Sequence, residues 1–341
     1  MFFTYKSIFL SSLMMGTLIS ISSFSWLGTW MGLEINLLSF IPLISSKNNM
    51  YSSESSMKYF LIQAMASSMF LFSIIITMLK SKMINELLLL NNMMFMFMNS
   101  TILLKMGAAP FHFWFPEIME SLNWMNSLLL LTWQKIAPMI IISYMIKSNM
   151  FIMIIIMISS MIGSIGGLNQ TNLKKILAYS SINHIGWMMS SFLINEMMWF
   201  LYFFIYSFIN LTIIYMFNKF NINMLKQMFM SINDYKINFF MILNFLSLGG
   251  LPPFLGFLPK WMIIQNLSYN FFFLIFFMIM MTLITLYFYI RISYSGIMIN
   301  NNKLNFNLYI MKPYNSYLFM YIMSMISISS LMIYSFLMNF Y

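Results

Sequence analysis

The chain has 341 residues, 61% hydrophobic and 7% charged, and its 17 Lys and Arg against 7 Asp and Glu give a net charge of +10. A soluble domain is nearer half apolar and a quarter charged, so no soluble fold of this length could hide so much apolar surface. The basic residues stand singly except for Lys174 and Lys175, which leaves no basic stripe for nucleic acid; with no cysteine and two histidines, disulfides, thiolate metal sites and a redox centre are excluded as well.

A bilayer-spanning helix needs about 20 apolar residues. Hydrophobic stretches between polar breaks predict helices at 5–23, 26–46, 57–79, 87–108, 122–146, 150–168, 173–194, 197–218, 237–265, 271–292 and 316–339, making an all-α membrane protein of about eleven transmembrane helices. The N-terminus begins hydrophobic and stays so, without a signal-peptide cleavage site or an Arg-rich transit pattern. The 43 methionines against a single arginine, Arg291, hint at the biased coding of an organelle. Most basic residues, from Lys6, Lys47 and Lys58 through Lys219, Lys226 and Lys236 to Lys312, fall on the N-terminal side of these spans; Lys80, Lys82 and Lys147 lie opposite. By the positive-inside rule the N-terminus faces the matrix or cytoplasmic side, and an odd helix count sends the C-terminus to the other.

Two of the spans run into Gly/Pro clusters. GAAPFHFWFPE at 107–117 and GLPPFLGFLPK at 250–260 share the glycine, the Pro-Phe pair, an aromatic at the eighth place and the penultimate proline, 143 residues apart. The host spans, fourth and ninth, cross the membrane in opposite directions. The expectation is therefore one membrane domain, 1–341, with inverted five-helix repeats at about 1–147 and 148–295, an additional C-terminal helix at about 316–339, and two interrupted helices. Freed backbone groups cost several kcal/mol in lipid, so breaks persist only inside protein or beside water, and paired breaks mark an ion or substrate pathway. A packing kink is the plainer reading of either break alone.

Lone charges fall within the same spans. Lys135 lies about a dozen residues from each end of the fifth, roughly 16 Å from either interface at 1.5 Å per residue, too far to snorkel. A lysine there costs at least about 2.5 to 3.5 kcal/mol. Glu34 is the acid of the otherwise apolar second span and needs a partner. Lys105 stands five residues before Pro110, with a snorkelling role as its alternative; Lys260 closes the second Gly/Pro copy, with an interfacial role beside Trp261 as its own. His112 suits either a proton relay or a cap for freed carbonyls. His184, with Ser180 and Ser181 one turn away, suits a relay or a hydrogen-bonded core. Burial disfavours an ammonium and a nearby carboxylate favours it, so a movable Glu-Lys contact can work as a switch.

The stretches LKKILAYSSINHIGW (173–187), MGLEINLLSFIPLI (31–44), KMGAAPFHFWFP (105–116), LTWQKIAP (131–138) and LSLGGLPPFLGFLPKW (246–261) together resemble the antiporter-like subunits of respiratory complex I, among them those encoded in animal mitochondria. The resemblance runs over essentially the whole chain. It implies a proton-translocating membrane-arm subunit in the mitochondrial inner membrane, with Glu34 paired to Lys105 at the input end, Lys135 as central relay, Lys260 at the exit, and water with His112 or His184 between. It also implies that this chain binds no cofactor, that FMN, iron-sulfur clusters, NADH and ubiquinone sit in other subunits, and that its neighbours are other membrane-arm subunits and lipids. Longer family members carry three more N-terminal helices, which are not visible here. A secondary cation/proton antiporter is the alternative reading, since the repeat fits it too, although a sodium site would normally bring more intramembrane carboxylates. A purely structural scaffold is the third, against which Lys135 weighs.

Overall fold

The computed structural model describes residues 2–45, 49–81, 87–146, 149–231, 235–300, 321–322 and 324–327. The chain divides into two compact units, Met1–Ser159 and Ser160–Tyr341.

The first unit holds α1 (Phe2–Ser22), α2 (Trp26–Ile44), α3 (Met50–Ser81), α4 (Leu87–Met106), α5 (Trp114–Ser121), α6 (Trp124–Leu131) and α7 (Trp133–Met145), while α8 (Asn149–Gly167) runs across the division. Ser25 caps α2, its hydroxyl accepting from the Gly28 amide. Small residues let α1 and α2 meet backbone to backbone at Gly16 and Gly32. Polar side chains then stitch the layers: Trp30 Nε1 donates to the Ser67 carbonyl of α3, Gln134 Nε2 of α7 to Asn36 Oδ1 of α2, and Asn126 Nδ2 to the Leu43 carbonyl.

The second unit holds α9 (Leu173–Ser191), α10 (Glu196–Phe220), α11 (Leu225–Ser231), α12 (Tyr235–Gly249), α13 (Phe257–Leu267), α14 (Phe272–Asn300) and helical residues at 321–322 and 324–327. Asn172 caps α9 through the Lys174 amide, and the segments around Asn172 and Met224 pair as an isolated antiparallel bridge. Arg291 of α14 donates to the Leu168 carbonyl and so closes the end of α8.

Among the described residues, six helical stretches are long and apolar enough to cross a membrane: Trp26–Ile44, Met50–Leu79, Trp124–Met145, Met150–Gly167, Glu196–Phe220 and Phe272–Tyr294, with Met93–Met106 and Ile237–Gly249 as shorter apolar helices. That is fewer than the eleven expected from the sequence. α9 shows one reason: every residue in it except Lys175 and Tyr179 is buried, so protein rather than lipid surrounds it and its serines, Asn183 and His184 need not be apolar. Most of the expected span at 316–339 lies outside the described residues.

The fifth span also departs from expectation. It is interrupted at Thr132, between α6 and α7. Pro138 has no amide to give to the Gln134 carbonyl, and Thr132 Oγ1 turns back to the Leu128 carbonyl at 2.7 Å, three residues before Lys135.

Candidate functional site

Both Gly/Pro clusters end a helix in the same way. At the end of α4 the Ala108 amide donates to Leu103 and the Gly107 amide to Leu104; at the end of α12 the Leu251 amide donates to Leu246 and the Gly250 amide to Ser247. This crossed pair of bonds requires a left-handed residue after the helix, and Gly107 (φ 71°) and Gly250 (φ 79°) supply it. The peptides before Pro110 and Pro253 are both cis. Helix resumes at Trp114 and at Phe257, the Phe115 amide donating to His112 and the Leu258 amide to Leu255. Equivalent residues therefore adopt equivalent backbone across each cluster.

The side chains that serve the two breaks differ. Lys105, in the last turn of α4, is 8% exposed, and its Nζ has no hydrogen-bond partner among the described residues. The carbonyls of that turn go to neutral donors instead: Gln63 Nε2 reaches the Lys105 carbonyl at 3.1 Å and Trp114 Nε1 the Leu104 carbonyl at 3.1 Å. At the second break the charge itself does this work. Lys260, 6% exposed, donates from Nζ to the Gly249 carbonyl at 2.9 Å, and a Cβ on Gly250 would stand 3.0 Å from that Nζ.

Glu34, on α2, is half-buried. It forms no ion pair with Lys105: the described ion pairs within 4 Å join Lys58 to Glu54 and to Glu117. Lys135 is 1% exposed, with Nζ 5.5 Å from the centroid of the Phe115 ring, within range of the attraction between a cation and an aromatic face. Phe115 is the second residue of α5, so Lys135 packs against the helix that resumes after the first break. His112 is buried in that break, its Nδ1 3.2 Å from the Pro110 carbonyl. The first unit thus gathers Glu34, Lys105, His112 and Lys135, while His184 and Lys260 belong to the second.

His184 Nδ1 lies 2.7 Å from the Tyr202 hydroxyl, and the Tyr206 ring stands 5.0 Å away. A cavity of about 10 Å³, room for about one water, is lined by His184, Tyr202, Tyr206, Ser247, Gly256 and Pro259 among others, so it joins the histidine to the second break. Lys174, read from the sequence as a marker of orientation, is buried at 8% exposure. Sequence reading also missed Gln63, Trp114, Tyr202, Tyr206, and the pair of Asn244 with Ser327, whose side chains meet at 2.7 Å.

Residues 23–285 match the family described as NADH:quinone oxidoreductase/Mrp antiporter, transmembrane. The chain is 55% identical over 301 residues to NADH-ubiquinone oxidoreductase chain 2 of Anopheles gambiae, covering 87% of each sequence. Among solved structures it is similar to a chain of respiratory complex I from Thermus thermophilus, with a TM-score of 0.77 at 21% identity, covering 86% of this chain and 70% of that one. It is also similar to a chain of the Mrp complex from Dietzia sp., with a TM-score of 0.73 at 13% identity, covering 84% and 59%. At these identities the two structures establish the fold.

Proposed function

The chain belongs to the NADH-ubiquinone oxidoreductase chain 2 branch of the NADH:quinone oxidoreductase/Mrp antiporter transmembrane family, and from this premise we propose that it is a proton-translocating membrane-arm subunit of respiratory complex I. It resides in the mitochondrial inner membrane beside other membrane-arm subunits, with its N-terminus on the matrix side and its C-terminus on the intermembrane-space side. Its two halves are inverted five-helix repeats within an eleven-helix domain. NADH, FMN, iron-sulfur clusters and ubiquinone are handled by other subunits, and this chain moves protons while they move electrons.

The relay we propose runs from Glu34 and Lys105 through Lys135 to Lys260, with His112 and His184 beside it. The observation that carries it most is the burial of Lys135 at 1% exposure against Phe115 of the resumed helix. A lysine kept there costs at least about 2.5 to 3.5 kcal/mol over an apolar residue, and packing alone would be served better by methionine. A buried amine beside broken helices can take a proton when a carboxylate approaches and release it when the carboxylate withdraws.

Lys135→Met tests this reading, since it keeps length and apolar packing and removes the titratable group. The complex should assemble, and protons translocated per electron pair, or redox turnover coupled to them, should fall. Unchanged pumping and turnover in assembled complex would make Lys135 structural.

A further inference from the structure

The second break has a support that the established parts of the molecule do not explain. Ser327, fully buried near the C-terminal end of the described chain, places its Oγ 2.7 Å from Asn244 Oδ1 on α12 and 2.7 Å from the Ser324 carbonyl of its own turn, so its hydroxyl proton is shared between two acceptors. Its carbonyl accepts from the Leu255 amide at 3.3 Å. Asn244, itself 0% exposed, lies before the break, and Leu255 lies inside it. One residue therefore holds the helix on the near side of the break and the loop that crosses it.

The contact has a second anchor. The Tyr321 ring meets Phe240 of α12 edge-on at 5.3 Å. Phe240 and Asn244 are one turn apart on α12 and meet Tyr321 and Ser327 in the same chain order, so the segment runs along α12 in the same sense. Its register is set at two points.

We infer that Ser327 is a positioning residue for Lys260. Leu255 sits two residues before α13 begins and five before Lys260, and its amide bonds to Ser327 rather than within the break. Fixing that amide fixes where α13 starts, and with it the reach of Lys260 Nζ to the Gly249 carbonyl. The first break takes its cross-links from within its own half of the sequence, through Gln63 and Trp114; the second takes one from the C-terminal segment at 324–327. The C-terminal segment is a clasp for a proton-handling lysine rather than an appended membrane anchor.

This inference rests on Lys260 being part of the relay, and the test separates the two claims. In assembled complex, amide hydrogen exchange is followed across 250–258 and proton yield per electron pair is measured, for the unchanged chain, Ser327→Ala, Ser327→Thr and Lys260→Met. With Ser327→Ala the Leu255 amide should exchange about tenfold faster and proton yield should fall; Ser327→Thr, which keeps the hydroxyl, should restore both. Leu255 exchange unaffected by Ser327→Ala, or already fast in the unchanged complex, overturns the clasp. If Ser327→Ala does not assemble, Asn244→Leu removes the same bond from the other side, and the same exchange result decides. If Lys260→Met leaves proton yield intact while Ser327→Ala still accelerates Leu255, the relay reading fails at Lys260 and the clasp stands as a structural one.

Discussion

The two helix breaks share a backbone and differ in how charge is used. Each has a left-handed glycine, a crossed pair of capping bonds and a helix restarting seven residues after that glycine. At the first, neutral side chains take the freed carbonyls, and the nearby Lys105 ammonium is buried without a hydrogen bond among the described residues. At the second, the Lys260 ammonium is itself the donor. One backbone arrangement can therefore set its lysines differently: one buried without a partner among the described residues, the other held on the helix end. Glu117, which stands in the first copy where Lys260 stands in the second, is drawn outward to Lys58.

The largest effect expected from this comparison is at Gly107. A Cβ there would lie 2.9 Å from Phe115 Cβ, close to backbone and unable to swing aside, and a left-handed non-glycine residue adds about 1 to 2 kcal/mol to an overpacking cost of about 1 to 3 kcal/mol. Gly107→Ala should strongly reduce the subunit retained in assembled complex, and should disturb Lys135, whose aromatic neighbour is that same Phe115. At Gly250 the new Cβ meets the far end of a lysine, which can move. Gly250→Ala should cost only the backbone term, about 1 to 2 kcal/mol, while displacing Lys260 from the Gly249 carbonyl. Subunit retention and proton yield, measured together on both variants, should separate in this order; equal loss of retention would mean that the second break is packed as rigidly as the first.

The next effect distinguishes the lysines. Lys260→Met removes the donor to a buried carbonyl and should destabilise by about 1 to 3 kcal/mol, read as a lower unfolding temperature of the assembled membrane arm. Lys105→Met removes a buried ammonium that makes no hydrogen bond among the described residues, so stability should be unchanged or higher. Glu34 loses no ion pair in the exchange, because it is half-buried and already beyond pairing distance. Proton translocation should fall in both variants. Lys105→Met destabilising as much as Lys260→Met would show that Lys105 holds a structural bond in the complex.

The breaks were legible in the sequence because glycine and proline carry their constraint in their own covalent structure: a missing Cβ and a missing amide hydrogen act wherever they stand. The buried lysines were legible for a similar reason, since a charge in an apolar stretch has a cost that does not depend on its neighbours. What completes the site was not. Gln63 is 42 residues before the carbonyl it caps, and Ser327 is 83 residues beyond Asn244; a glutamine or serine in a serine-rich chain gives no local sign of such a bond. Nor did the sequence separate a helix facing lipid from one surrounded by protein, as α9 is. The interruption at Thr132 lay between the two cases: Pro138 was visible, but where a helix relaxes around a proline depends on which carbonyls find other donors.

The smallest effect separates two donors at the first break. Gln63 Nε2 is the donor recorded at the Lys105 carbonyl, whereas the Leu104 carbonyl receives both the Trp114 indole and the Gly107 amide. Gln63→Leu therefore strands a buried acceptor, at about 1 to 3 kcal/mol. Trp114→Phe leaves its acceptor with one bond intact and keeps an aromatic ring against Tyr59, 6.1 Å away between centroids, so it should cost no more than the net value of one neutral hydrogen bond, about 0.5 to 1.5 kcal/mol. The unfolding temperature of complex carrying each variant gives the order, and exchange at the Ala108 and Gly107 amides gives the reason. Those amides should stay protected in Trp114→Phe, because the crossed capping bonds do not involve the indole, and become less protected in Gln63→Leu, where the last turn of α4 loses its tie to α3. If Trp114→Phe opens the turn as readily as Gln63→Leu, the glycine cap does not hold the first break unaided, and the indole must be counted among the residues that position Lys105.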